Sequence, residues 1–166
     1  SLLAELYQMY FNTQQYKINR RTPITGYVPR NMAEWTGNIY REKIFQHALD
    51  AVKARPQLSE VNCLTYKEIL VLGKNSPALR PTMYDFLVYR SIDILNTISR
   101  YNKQEPITNK QLLFAPVKEF VQMPIEVKKM DAYSNTLKLY QSLLQSEIAA
   151  ERTDAILISD LDRLEY

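Results

Sequence analysis

The run from Pro81 to Leu95, PTMYDFLVYRSIDIL, constrains the fold more than any other stretch. Pro81 stands where a helix begins, Thr82 supplies a cap, and Asp85 lies three residues on, where a carboxylate suits a capping box. The apolar residues then fall on two adjacent stripes. One is Met83, Leu87, Ile94 and Ile98; the other is Tyr84, Val88, Ile92 and Leu95. Only Arg90, Asp93, Thr97 and Arg100 form a polar face. A helix that apolar must be covered on more than one side, so the pattern predicts a central helix at about 82–102 inside a helical core.

The remaining segments read the same way. Residues 2–19 place Leu3, Leu6, Tyr7, Tyr10, Phe11, Gln14 and Ile18 at helical intervals. Thr22-Pro23 and the stretch from Gly26 to Pro29 break that helix. Asn31, with Glu34 three residues on, predicts the cap of a second helix reaching about Ala54, where Arg55-Pro56 ends it. Its buried stripe is Trp35, Ile39, Ile44, Ala48, Leu49 and Val52, and Gly37 weakens its first turn. A short helix is expected from Thr65 to Leu72, closed by Gly73. Pro106, Pro116 and Pro124 limit regular structure over 103–131. That segment is read as a long ordered connection with one short helix near Val117 to Val121. Leu112, Leu113, Phe114, Phe120, Val121 and Met123 within it need burial. Asp131 caps a helix over 132–149 with Leu137, Tyr140, Leu144 and Ile148 on one face. After a break at 150–153, a final helix over 153–166 carries Leu157, Leu161 and Leu164.

The expected fold is therefore all-α: five to six helices around the central apolar one, in a single domain covering 1–166. At 166 residues a chain buries roughly 70% of its unfolded surface, enough for a core without disulfides or metals. No fixed-period repeat is visible, so a tetratricopeptide array is not supported. The chain starts at Ser1 and is still helix-periodic at its last leucines, which reads as a piece cut from something longer.

Composition narrows the function classes. Three glycines are too few for a fold rich in tight turns or phosphate loops, and twelve tyrosines suit core edges and packed interfaces. A net charge of +3 is too small to argue for nucleic acid. Cys63 is alone, which excludes an internal disulfide and a cysteine-cluster metal site. No signal peptide and no apolar run of membrane-spanning length is present.

Chemistry-bearing groups are sparse. A Cys63–His47 dyad is conceivable, but a solvated helical His47 and a small packed thiol are the simpler readings. Asp160 and Asp162 diverge on a helix, while Glu147 and Glu151 lie one turn apart; both pairs read as solvated helix charges. Lys17, Arg20, Arg21 and Arg30, flanked by Tyr16 and Tyr27, form the densest basic cluster. It reads as favourable charge at a helix C-terminus rather than a nucleic-acid grip. Trp35 reads as core or core-edge packing. No catalytic, cofactor-binding or metal-ligating residue is assigned.

Several segments, in order, resemble the N-terminal helical region of large alpha-2-macroglobulin-like proteins of Bacteroidetes-type bacteria. They are Leu2-Leu3-Ala4-Glu5-Leu6-Tyr7 leading to Tyr10-Phe11, Asn19-Arg20-Arg21-Thr22, the Trp35 helix, Leu79 to Leu87 with Arg90 and Asp93, Leu139 to Leu144, and Asp160-Leu161-Asp162-Arg163-Leu164. The resemblance implies an exported protein, periplasmic or tethered at the outer membrane, that traps proteases as an inhibitor. The trap's thioester is built from Cys-x-Glu-Gln in many members; here Cys63 is followed by Leu64-Thr65-Tyr66, so none is carried over. What the resemblance implies for this chain is a non-catalytic helical scaffold or interaction domain. Its partners would be neighbouring domains of the same polypeptide and other envelope proteins, with no cofactor and no nucleic acid. The alternative is a carbohydrate-binding helical lipoprotein resembling the starch-binding outer-membrane family.

Overall fold

The computed structural model describes residues 1–71, 73–99, 113–128 and 130–166. In chain order its helices are α1 (Leu2–Ile18), α2 (Gly37–Asp50), α3 (Arg55–Glu60), α4 (Ser76–Leu79), α5 (Met83–Ser99), α6 (Val117–Phe120), α7 (Ala132–Ala149) and α8 (Thr153–Glu165). Turns of 3₁₀ helix occupy Met32–Glu34 and Cys63–Tyr66. The fold is all-α, with no strand among the described residues.

The start of α5 is held as its sequence predicts. Asp85 N donates to Thr82 Oγ1 at 3.2 Å, and Thr82 N donates to Asp85 Oδ2 at 3.1 Å, a reciprocal capping box. An isolated bridge between Asn62 and Thr82 fixes the preceding backbone, with Cys63 N on Pro81 O at 2.8 Å and Met83 N on Val61 O at 2.7 Å. From there α5 packs against α2, α3 and α7, so it is the middle of the core. Tyr84, Val88, Ile92, Ile94, Leu95 and Ile98 are buried on it, and Arg90 and Asp93 face solvent. Each such fully buried aliphatic side chain contributes about 1.5–3 kcal/mol. Residues 100–102 of the expected helix lie outside the described residues.

The remaining packing runs outward from this centre: α1 lies on α2, α7 carries α8, and α4 touches α8. Asp131 caps α7 as expected, its carboxylate accepting from Tyr133 N at 3.1 Å and Ser134 N at 3.3 Å. Leu137, Tyr140 and Leu144 are buried on α7, but Ile148 is exposed near its end. The break after α7 is a tight reversal in which Glu151 adopts φ 54°.

Three local expectations are corrected. Asn31 does cap, accepting from Ala33 N at 2.9 Å, but it caps only a 3₁₀ turn. Trp35 is then extended, and α2 begins at Gly37 with Thr36 before it. Gly37, in the first turn of α2, permits close packing: a Cβ there would meet Asn19 Oδ1 at 3.1 Å and the Phe11 ring at 3.5 Å. Secondly, Arg55-Pro56 starts a helix instead of ending one. Proline lacks an N–H that the first helical turn does not use, so it fits the openings of both α3 and α4. Thirdly, where a helix was expected from Thr65, Cys63–Tyr66 is a 3₁₀ turn capped by Asn62 and followed by irregular backbone; Leu72 lies outside the described residues. Gly73 has no positive φ and donates to Ser76 Oγ at 3.1 Å ahead of α4.

The connection before α7 has its short helix, α6, where expected. Phe120 on it is fully buried and Leu113, Val121 and Met123 are half-buried, whereas Phe114 is exposed. Leu112 and the rest of 103–112 lie outside the described residues.

Candidate functional site

The densest cluster of ionisable groups is buried where α5, α7 and α8 meet. Asp85, held in the capping box, is fully buried and takes both terminal nitrogens of Arg152, Nη1 to Oδ2 at 2.7 Å and Nη2 to Oδ1 at 3.0 Å. One carboxylate therefore caps α5 and ties down the reversal between α7 and α8. A bidentate pair of this kind is strong, and costly to break on one side once desolvated.

Glu147, on α7, is 0% exposed. Its Oε1 accepts from Ser159 Oγ of α8 at 2.8 Å, and Ser159 Oγ lies 2.8 Å from Tyr89 OH of α5. Glu147 Oε2 is buried without a partner among the described residues, as is Arg152 Nε. Desolvation raises the Glu147 carboxyl from 4.5 to about 7, only partly offset by the Ser159 hydrogen bond and Arg152. Desolvation likewise pushes the Tyr89 phenol up to about 12. The Arg80 guanidinium lies over the Tyr89 ring, 3.3 Å from its centre.

A further buried charge on α8, with partners of its own, is Arg163, 1% exposed. It donates to Leu113 O at 2.6 Å, Ala115 O at 2.9 Å and, through Nε, Asp160 Oδ1 at 2.9 Å, and lies 4.3 Å from the Phe120 ring centre. The guanidinium thus serves as partner to the carbonyls of Leu113 and Ala115, which would be costly to bury bare.

Glu147 and Glu151 were read as solvated helix charges. Glu151 is exposed, but Glu147 is not, because the chain reverses at Glu151 and brings Ser159 of α8 against the Glu147 carboxylate. Asp160 and Asp162 are each spent on an arginine, Asp160 on Arg163 and Asp162 on Arg80 at 3.8 Å. His47 is half-buried against Tyr7, ring centres 5.7 Å apart, and no hydrogen bond joins it to Cys63 among the described residues. Cys63 is buried, and desolvation followed by the Asp85 charge raises its thiol, which keeps it protonated and unreactive.

In the basic cluster, Arg21 donates to Trp35 O at 2.6 Å and Arg20 lies against Tyr16, while Lys17 and Arg30 are exposed. Trp35 is buried at the core edge with Nε1 donating to Pro29 O at 2.7 Å. The cluster's best-placed cation is therefore used to bind the chain to itself.

Open cavities among the described residues include the following three. A groove of about 430 Å³ runs between α4 and α8, lined by Asn75, Ala78, Leu79, Asp154, Leu157 and Ile158. A polar hollow of about 300 Å³ is lined by Asn96, Ser99, Tyr140, Asp162, Glu165 and Tyr166. A third, about 330 Å³, lies beside α2 around Phe45, Leu49, Val127 and Met130. None of the three is lined by Glu147, Cys63 or His47.

Sequence reading missed Arg152, Ser159 and Arg163 as interior groups. The available signal was on the final helix, where Ala155, Ser159 and Arg163 recur at four-residue steps opposite the leucines. No helix among the described residues is long and apolar enough to cross a membrane. No family model matches the chain, and neither the curated proteins nor the solved structures contain a match to it.

Proposed function

We propose that this chain is a non-catalytic helical packing domain, an interaction module of an exported macroglobulin-like protein at the bacterial cell envelope. Its partners are the neighbouring domains of the same polypeptide and, beyond them, other envelope proteins. The observation that carries the reading is where the chain spends its groups. Inside, Asp85 is paired with Arg152 and Asp160 with Arg163, while large apolar side chains face outward on α1 (Leu2, Leu6, Met9), on the 64–71 segment (Leu64, Ile69, Val71) and on α8 (Leu157, Leu161, Leu164). Exposed apolar surface of that extent marks a place of contact. The family assignment and the protease-trapping context rest on the sequence resemblance.

The alternative, a carbohydrate-binding helical lipoprotein, is favoured by one observation. The hollow around Tyr140 and Tyr166 combines aromatic rings with Asn96, Asp162 and Glu165, the groups that recognise sugars. A glycan array separates the two readings. The packing domain binds no glycan above background, and selective capture of an α-glucan would replace it with the alternative. The coding sequence downstream of Tyr166 tests the family: macroglobulin sandwiches and a bait-like stretch are expected there, and a prompt stop codon would remove it.

A further inference from the structure

The main helices pack in the order α1, α2, α5, α7, α8, so α1 and α8 each lie at an end of the series. In a stack of helices the outermost face must be polar or must be covered. Neither end here is polar. On α1, Leu2, Leu6, Met9 and Tyr16 are exposed in one line with Thr13 among them, a spacing of four and three. On α8, Leu157, Leu161 and Leu164 are exposed in one line with the same spacing. A four–three spacing is the seam along which two helices pack at a shallow angle.

The margins of the two stripes differ in sign. Beside the α1 stripe, Lys17 is exposed in the helix's last turn and Arg20 in the turn that follows it. Beside the α8 stripe stand Glu151, Asp154 and Glu165, all exposed. Arg152 is turned inward to Asp85 and Arg163 to the carbonyls of Leu113 and Ala115, and the partly exposed Arg80 is taken up by Asp162, so Glu151, Asp154 and Glu165 leave the outer margin of α8 acidic. The α4–α8 groove, with Ala78, Leu79 and Ile158, widens the apolar surface on the same side.

We propose that copies of this chain associate head to tail, the α1 stripe of one copy seated along the α8 stripe of the next. The occupant of the α8 face is thus a second copy's first helix, chosen by matching seam spacing and opposite margin charge. Because the two surfaces differ, the contact is heterologous and continues into rings or filaments rather than stopping at a two-fold dimer. The proposal deepens the reading of the chain as a packing unit. Its failure would leave that reading standing, whereas glycan capture would sink that reading and leave this one.

The test is sedimentation of the 166-residue chain over roughly 10 to 500 µM, since self-association follows mass action. The mass is expected to climb past that of a dimer, and salt to weaken the association by shielding the margins. Met9→Glu and Leu161→Glu alter exposed side chains, so both variants should keep the wild-type circular dichroism. Each alone should be monomeric. Mixed in equal amounts they should form dimers and nothing larger, because one retains a sound α8 face and the other a sound α1 face. A wild-type chain that stays monomeric throughout would overturn the proposal. So would either variant still associating alone, or a mixture that stays monomeric.

Discussion

Helices α7 and α8 lie side by side yet are held by different forces. On α7 the inward face carries the larger aliphatic share, with Leu137, Leu143 and Leu144 essentially inaccessible beside buried Thr136, Gln141 and Glu147. On α8 the inward face is Ala155, Ser159 and Arg163, while Leu157, Leu161 and Leu164 are 59%, 48% and 38% exposed. Aliphatic burial is non-directional and tolerates small slips. Hydrogen bonds from Ser159 to Glu147 and from Arg163 to Leu113 and Ala115 are directional, so a slip of one residue along α8 would leave them unmade. The comparison teaches that a helix can be positioned by its polar side, which leaves its apolar side free for contact with something else.

The largest expected effect comes from breaking the ionic seam. Asp85→Ala removes one half of the α5 capping box and strands Arg152, a loss of about 3–5 kcal/mol in urea denaturation. A loss under about 1 kcal/mol would mean that the seam holds little and that area alone fixes α8.

Glu147 sharpens the comparison through pH. Its folded pKa, about 7, exceeds the ordinary 4.5, so the folded chain holds this proton more tightly than the unfolded one. The contribution is fully present below about pH 4.5 and is lost as pH rises through about 7. Replacing Glu147→Gln keeps an acceptor for Ser159 and removes the ionisation. The variant should match wild type at pH 4 and exceed it by up to about 3 kcal/mol at pH 8, a figure set by the size of the shift. Parallel stability curves for the two proteins across that range would contradict the assignment.

Smaller effects bound the account. Asp131→Ala removes a side-chain cap from α7 and should cost about 1 kcal/mol in thermal unfolding. Glu5→Ala breaks the pair in which Arg90 Nη2 reaches Glu5 Oε2 at 2.6 Å between α1 and α5. That pair is partly solvated, so the cost should be below about 1 kcal/mol and fade with salt. Cys63, buried with a raised thiol, should react with iodoacetamide only as the chain unfolds.

What could be read from the sequence was what local chemistry and strong periodicity dictate. The Thr82–Asp85 box, the Asp131 cap and the double stripe of α5 are written in adjacent residues; the box and the cap stand where expected, and so does the stripe except at Met83 and Leu87, which are only half-buried. The extra helices α3 and α4 were hidden because proline opens a helix as readily as it closes one, and a single sequence does not say which. The orientation of α8 was not legible for a different reason. A leucine stripe implies burial only if something lies over it, and the inward face was decided by Leu113, Ala115 and Glu147, far away along the chain. The same distance concealed Glu147, whose partner Ser159 becomes adjacent only after the chain reverses at Glu151.

The most direct test of the central claim, that α8 is seated by its polar face, is a paired urea denaturation of Arg163→Met and Leu161→Ser. The methionine keeps apolar bulk but leaves two loop carbonyls bare, and should cost about 3 kcal/mol. The serine removes an exposed leucine and should change stability by no more than about 0.5 kcal/mol at a concentration where the chain is monomeric. The opposite ranking, with Leu161→Ser the more damaging, would show that the leucine stripe holds the helix in place.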